Sequence, residues 1–223
     1  TATNYYVEKG FVTSRAYLVP QDLGSGELRV LIVEGSVSEV RLQENGKARR
    51  GATQLFGERS GRIMNIRDFE QGLEQINRLG SKEAVIRIEP GAGVGQSIVT
   101  IEVKDAYAVQ LSASLDNGGA TSTGRHQWNG IAGFEDVLGL NELLTISARS
   151  SLDRLDERIY SRSINAYLSV PWRYWTVNIS GSYLDYLSRL ESPSGDYSYD
   201  GTSWEGRVEL DRVLPRPGRF VWR

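Results

Sequence analysis

The chain has 223 residues, room for one large or two modest domains, and its 26 Lys and Arg against 28 Asp and Glu leave no basic excess for nucleic acid. Cysteine is absent, which excludes disulfides, thiolate catalysis and cysteine-based metal sites. No run of about eighteen apolar residues occurs, so a membrane-spanning helix is excluded, whereas a membrane strand needs only every second residue to be apolar.

The amino-terminal part of the sequence predicts a helix end followed by two short strands. Residues 1–9 are predicted as the last turns of a helix that stops at Gly10. Residues 11–18 and 27–33 are predicted as strands, because they are rich in apolar and β-branched residues and a Pro- and Gly-containing loop separates them. The Glu34-Gly35 pair ends the second strand.

Residues 66–79 give the clearest helical pattern in the sequence. Asn65 stands where an N-cap is expected, and Gly80 stands where the helix would end. Apolar residues recur at spacings of three and four, which places on one helix face Ile66, Phe69, Leu73 and Ile76.

Strands are predicted on both sides of this helix. One is centred on residues 37–42, and two more follow at 84–89 and 96–104, joined by a turn at Pro90-Gly91. We therefore expect a small α+β module over residues 35–104, in which one helix face covers a three-stranded sheet.

Beyond Asp105 the pattern changes to alternation with a period of two. Six alternating stretches lie near residues 107–115, 124–134, 142–150, 161–170, 174–184 and 202–212. In the first, Tyr107, Val109 and Leu111 alternate with Gln110 and Ser112, and Asp116 to Gly119 supply a reversing turn. Stretches of about ten residues are typical of tilted membrane strands, whereas strands of a soluble sandwich usually have about five or six.

The sequence contains little that could perform covalent chemistry. His126 is the only histidine, and no nucleophile with a supporting constellation lies near it. Asp196 to Gly201 resemble the opening of a calcium loop, but Arg207 stands where the loop needs a bidentate glutamate. We therefore predict no enzyme activity, no catalytic residue, no metal ion and no cofactor.

Several short motifs, in one order along the chain, carry a family resemblance. Together they resemble the outer-membrane transporters of two-partner secretion (the TpsB group), which export haemolysins, adhesins and contact-dependent toxins and carry periplasmic POTRA domains. The motifs are Gly10 to Leu18, Pro20 to Asp22, Val33 to Gly35, Asn65 to Arg78, Pro90-Gly91, Gly95 to Ser97, Leu115 to Gly119, Thr123 to Arg125 and Leu138 to Asn141.

The resemblance implies a fold class and a domain organisation. It implies an α+β POTRA module followed by antiparallel transmembrane β-barrel strands, located in the Gram-negative outer membrane with the POTRA part in the periplasm. The expected domains are the end of a first POTRA domain (1–34), a second POTRA domain (35–104) and the opening barrel strands (105–223). About six strands are expected here, against about sixteen in the family's closed barrel.

The resemblance also implies a function without ATP, in which an unfolded TpsA-type exoprotein is captured and passed outward. An edge strand can bind an extended segment as an added strand, and the predicted capture strand is Ala84, Val85, Ile86, Arg87, Ile88 and Glu89. Ile86 and Ile88 would anchor in the core, and Arg87 and Glu89 would flank the groove. The alternative is that the helix or neighbouring chain covers this edge.

Inside the barrel, polar side chains would keep the pore wet while the opposite face meets outer-membrane lipid. The predicted lumen-facing residues are Gln110, Ser112, Thr145, Arg149, Asn165, Asn178 and Arg207. Two other functions stay open: a barrel-assembly insertase of the same Omp85 superfamily, which would bind strands of nascent barrels, and a soluble β-rich binding module or enzyme.

Overall fold

The structure is a computed structural model that describes residues 2–48, 52–57, 59–106, 108–152, 159–190 and 192–214. The chain divides into two compact units. The first comprises Thr1–Ala106, Trp172–Tyr174 and Val213–Arg223, and the second Tyr107–Pro171 and Trp175–Arg212. Tyr107, which the sequence places in the first alternating stretch, lies outside the described residues. None of the described helices is long and apolar enough to cross a membrane.

The first unit is a mixed α/β region, as predicted. The first two strands form an antiparallel pair and are shorter than the predicted 11–18 and 27–33. In chain order its elements are α1 (Ala2–Glu8), β1 (Arg15–Leu18), a 3-10 turn (Leu23–Ser25), β2 (Val30–Val33), β3 (Ser36–Glu44), β4 (Lys47–Ala48), α2 (Ala52–Phe56), α3 (Ile66–Asn77), β5 (Lys82–Pro90) and β6 (Gln96–Asp105).

The main sheet of the first unit has the strand order β4-β3-β6-β5. β3 pairs in parallel with β6, and β5 pairs with β6 in the antiparallel sense. The prediction of a three-stranded sheet was wrong, because β4 adds a fourth strand through a turn at Asn45 and Gly46, both with positive φ. A two-residue strand is too short to show any period in the sequence.

Helix α3 begins where the sequence predicts and covers the core of this sheet. Asn65 caps it, since the side-chain Oδ1 accepts a hydrogen bond of 3.1 Å from the Arg67 N–H. The helix ends at Asn77, two residues earlier than expected. Its apolar face packs on a buried cluster comprising Val37, Leu42, Leu55, Phe56, Met64, Phe69, Ile76, Ala84, Val99, Ile101 and Val103.

Gly72, in the middle of α3, allows α2 to approach this helix closely. A Cβ atom at this position would lie 2.1 Å from a ring carbon of Phe56. Phe56 is almost fully buried, and its ring centroid lies 5.8 Å from that of Phe69. The helix therefore keeps a residue of poor helix propensity where a larger one would collide with the core.

The second unit is a six-stranded antiparallel sheet with the strand order β12-β11-β10-β9-β8-β7. Each strand pairs with its neighbour along the chain, so the six predicted alternating stretches form a meander, as expected. The predicted turn at residues 116–119 is part of a longer connection over 117–126. The strands are β7 (Val109–Asp116), β8 (Gln127–Glu135), β9 (Leu143–Ser151), β10 (Tyr160–Trp172), β11 (Trp175–Leu190) and β12 (Tyr197–Arg212).

Candidate functional site: an open sheet edge and a polar sheet face

Strand β5, which contains the predicted capture residues, lies at one edge of the four-stranded sheet. Among the described strands it pairs only with β6, in an unbroken register from Lys82 opposite Asp105 to Pro90 opposite Ser97. Helix α3 packs against this strand. The geometry therefore presents one line of backbone groups that no described strand satisfies, which is the requirement for strand addition.

Alternate residues of β5 direct their backbone groups outward, because N–H and C=O of one residue point to the same side in an antiparallel pair. Ala84 is one of the outward residues. Its N–H donates to the Asn77 side-chain oxygen at 2.7 Å, and its C=O accepts from the Asn77 side-chain nitrogen at 3.2 Å. By alternation, Ile86, Ile88 and Pro90 also face outward. Proline has no N–H, so Pro90 contributes only a carbonyl.

The two isoleucines of β5 differ in burial. Ile86 is half-buried and packs against the core, as predicted. Ile88 is 37% exposed, so the prediction that it anchors in the core was wrong. Because β5 has a neighbouring strand on only one side, one flank of Ile88 stays open to solvent. Its side chain is thus available to a segment bound along the edge.

The two charged residues predicted to flank the groove are both exposed. The Arg87 side chain forms an ion pair of 3.0 Å with Glu102 of β6, on the side of the sheet away from the core. Glu89 is also on this exposed side. Surface pairs of this kind contribute little stability, so they are free to respond to a bound chain.

Asn77 is a residue of this edge that sequence reasoning missed. It was grouped with the helix, although asparagine favours positions where its side chain can bond a backbone group outside a regular helix. An asparagine in the last turn of a helix, a few residues before a strand, was the available signal.

In the second unit, the seven predicted lumen residues lie on one face of the sheet. Residues directly opposite in an antiparallel pair point to the same side. Gln110 is opposite Gly133, which is opposite Thr145, which is opposite Tyr167. The same registers place on this polar face Ser112, Arg149 and Asn165. The hydrogen bond from Tyr167 places Asn178 on it too, and Arg207 lies opposite Ser180, two residues from Asn178 on β11.

Hydrogen bonds cross this polar face from strand to strand. Tyr167 donates to the Asn178 side-chain oxygen at 2.9 Å, and the Asn178 nitrogen donates to Asp211 at 2.6 Å. Asn165 donates to Ser147 at 3.3 Å. A shallow depression of about 280 Å³ lies beside them, lined in part by Thr145 and Arg207. The face is therefore polar and hydrogen-bonded along several strands.

The opposite face of the same sheet is apolar. Leu111, Ala132 and Ile146 lie opposite one another across β7, β8 and β9. On β11 and β12 the same face carries Ile179 opposite Val208. Many of these large side chains are exposed, with Trp204 at 82%. A broad exposed apolar face of a sheet requires a non-aqueous environment or a partner to cover it.

Within the first unit, Tyr174 and Arg59 share the carboxylate of Asp68. The Tyr174 hydroxyl donates to Asp68 Oδ1 at 2.5 Å, and the Arg59 guanidinium lies 3.0 Å from Asp68 Oδ2. Burial, and next the hydrogen bond to Asp68, raise the pKa of Tyr174 to about 12. The phenol is therefore neutral over the whole physiological range and serves as a structural donor.

No cluster of metal-ligating side chains is found among the described residues. His126 lies in the connection between β7 and β8, and its backbone carbonyl accepts a hydrogen bond of 2.8 Å from the Leu152 N–H. In the ranges that the structure describes, no group of three or more His, Cys, Asp or Glu side chains could hold a metal ion.

Comparison with known protein families gives matches along almost the whole sequence. Residues 95–220 match the family of haemolysin secretion/activation proteins ShlB/FhaC/HecB. Residues 36–90 match a POTRA domain, and residues 1–35 a POTRA domain of ShlB type.

Individual relatives show the same likeness. The outer membrane transporter CdiB of Escherichia coli is 35% identical over 216 residues, which cover 97% of this chain and 37% of that protein. The hemolysin transporter protein ShlB of Serratia marcescens is 28% identical over 214 residues, covering 96% of this chain and 38% of that protein.

Solved structures agree in fold. CdiB from Escherichia coli matches with a TM-score of 0.85 and 34% identity, covering 96% of this chain and 40% of that one. CdiB from Acinetobacter baumannii matches with a TM-score of 0.75 and 26% identity, covering 97% and 41%. The chain thus spans between 37% and 41% of the length of these relatives.

Proposed function

Because the chain belongs to the haemolysin secretion/activation family ShlB/FhaC/HecB, we propose that it forms the POTRA region and opening barrel strands of a transporter that exports a large exoprotein. The family is one of transporters and not of enzymes, in agreement with the prediction. Its members lie in the outer membrane, with their POTRA domains in the periplasm. The recognised family and the fold class are therefore confirmed.

In this proposal, residues 1–34 end a first POTRA domain, 35–104 form a second, and 105–223 begin the barrel. The second POTRA domain captures the unfolded exoprotein by strand addition at β5. The observation that carries this step is the outward-facing backbone of Ile86 and Ile88 at a sheet edge. Main-chain bonding depends little on the client's side chains, which suits an unfolded passenger of any sequence.

The two faces of the six-stranded sheet support the second step of the proposal, passage of the captured chain through the barrel. The polar face carrying Thr145, Asn165 and Arg207 would line the pore, where water and hydrogen-bonding side chains let a chain slide. The apolar face would meet outer-membrane lipid. No ATP is required if the passenger folds outside, because burial of its apolar surface there opposes its return.

Export of an exoprotein is favoured over the two alternatives by family membership. An insertase would bind many barrel proteins, so capture of nascent barrel strands in place of one dedicated exoprotein would contradict the proposal. A soluble module would stay monodisperse without detergent, whereas the exposed apolar sheet face predicts aggregation.

The capture step is tested by comparing Ile88→Pro with Ile88→Val in the full-length transporter. Proline removes the outward N–H of residue 88 and is tolerated at a strand edge, while valine keeps both the N–H and a β-branched side chain. We expect proline to weaken binding of the unfolded partner exoprotein about three- to tenfold, the worth of one backbone hydrogen bond.

Valine should leave the affinity nearly unchanged. Circular dichroism of both variants checks that the fold is intact. Equal affinities of the two variants would contradict capture by strand addition at β5.

A further inference from the structure

Asn77 occupies the place that the first residue of an added strand would take. Its side-chain amide offers one acceptor and one donor, and both engage Ala84 from the open side of β5. The orientation of this amide is fixed by its partners, because the Ala84 N–H needs an oxygen and the Ala84 carbonyl needs an N–H. Asn77 thus does for Ala84 what a neighbouring strand would do.

Next to Ala84, the outward N–H of β5 is also already hydrogen-bonded. The Lys82 N–H already donates to the Leu79 carbonyl at 3.2 Å. From the start of β5 to Ala84, therefore, an incoming chain finds outward N–H groups that are already bonded. A bound segment would have to displace Asn77 to pair with Ala84.

At the other end of the strand a turn closes the edge. The Gly91 N–H donates to the Gln96 carbonyl at 2.8 Å, which begins the turn into β6. Between these two limits, Ile86 and Ile88 each offer an N–H and a C=O, and Pro90 offers a C=O. In the described part of the chain, no hydrogen bond from outside the β5–β6 ladder reaches these groups.

The side chains beside this open stretch are apolar. Leu73 lies one helical turn before Asn77 on the same face of α3, and it packs half-buried against the core together with Ile86. Ile88 continues this line and is more exposed. A segment paired with this stretch would place every second side chain on an apolar surface.

We propose that Asn77 is a positioning residue that stops the captured strand at Ile86, so that the client pairs only with the stretch Ile86–Pro90. This inference rests on the proposed capture function and deepens it. The site takes a short extended segment whose alternate side chains are apolar. Asn77 fixes the register of that segment, since a client strand slipped toward Ala84 would have to break both hydrogen bonds between Ala84 and the Asn77 amide.

The test measures amide hydrogen exchange residue by residue in the full-length transporter, with and without the unfolded partner exoprotein. In the free wild-type protein, the Ala84 amide should exchange more slowly than those of Ile86 and Ile88. Exoprotein should slow exchange at Ile86 and Ile88 and leave Ala84 unchanged. Asn77→Ala should speed exchange at Ala84 about five- to tenfold in the free protein, and bound exoprotein should then slow it again.

Two further variants separate the hydrogen bond from a general effect on the helix. Asn77→Asp keeps the acceptor for the Ala84 N–H and should keep that amide slow. Glu70→Gln changes an exposed position of the same helix and should leave all β5 amides as in the wild type.

The outcomes distinguish the two proposals. If exoprotein protects Ile86 and Ile88 but also slows Ala84 in the wild type, or fails to slow Ala84 in Asn77→Ala, Asn77 does not set the end of the ladder, while capture at β5 stands. If bound exoprotein protects no β5 amide in any variant, capture at β5 is overturned, and the role of Asn77 with it.

Discussion

The Lys82 ammonium lies 2.8 Å from the Glu44 carboxylate, which joins β5 to β3 across the intervening strand β6. The two partners differ in burial, since the Lys82 side chain is 1% exposed and that of Glu44 is 23% exposed. A charge removed from water is stable only with a partner, so the buried lysine depends on the pair more than the glutamate does. The pair also fixes the start of β5.

This asymmetry predicts unequal effects of removing each partner. Glu44→Ala leaves a buried ammonium without this carboxylate and should lower the free energy of unfolding by about 2–3 kcal/mol. Lys82→Met replaces the ammonium by an apolar chain and leaves a carboxylate that water still reaches, so the loss should stay below about 1 kcal/mol. Urea denaturation, monitored by hydrogen exchange of the core amides of the first unit, measures both losses of unfolding free energy. Equal losses would contradict the asymmetric burial.

The Tyr174–Asp68 hydrogen bond predicts a pH dependence at high pH. The pKa of Tyr174 is raised to about 12, above the ordinary value of about 10 in the unfolded chain. The folded state therefore favours the protonated phenol. Its stabilising contribution is complete below pH 10 and is lost as the pH rises through about 12.

Tyr174→Phe removes this donor and provides the measurement. The difference between the ultraviolet titrations of wild type and variant should show one tyrosine that ionises near pH 12 in the folded protein. The variant should lose about 1 kcal/mol of stability at pH 7, a value kept small because the site is half-exposed. A difference titration centred at pH 10 would show that Tyr174 does not keep its hydrogen bond.

The two faces of the second unit predict opposite effects at two adjacent positions of β10. Ile164 lies opposite Ala148 on the apolar face, and Asn165 lies opposite Ser147 on the polar face. Ile164→Arg should cost about 2–4 kcal/mol in a bilayer, because it places a charge toward lipid. Asn165→Arg should cost little, because its side chain meets the wet face.

Folding of the full-length barrel into lipid vesicles, followed by urea titration, measures both substitutions. Ile164→Lys serves as a second charged variant and should behave like the arginine variant. If arginine at 164 were tolerated as well as at 165, the apolar face would not be the lipid face.

Sequence patterns predicted the elements in which apolar residues recur at a regular spacing. The alternation of polar and apolar residues gave six strands, their order and the residues of each face, because a period of two leaves no other assignment once one face is apolar. The spacing of apolar residues in helix α3 and its Asn65 cap could be predicted equally well, because both depend on residues close together in the chain. The family motifs indicated in addition that the helices and strands before residue 105 belong to POTRA domains.

Features that depend on residues distant in the chain could not be predicted from the sequence. Strand β4 has only two residues, too few to show a periodic pattern. Ile86 and Ile88 occupy equivalent positions in the alternating pattern of β5, although only Ile86 packs against the core. The need for glycine at position 72 depends on Phe56, which belongs to another helix. The partner of Tyr174 lies 106 residues away at Asp68.

The sequence by itself therefore determined the longer strands and helix α3 and which face of each is apolar, since these follow from local spacing. Only the tertiary structure decided which backbone groups of β5 stay open, because that depends on the neighbours that each residue meets after folding. Asn77 and Ala84 are seven residues apart in the chain, yet their bond exists only because α3 folds back along the edge of the sheet.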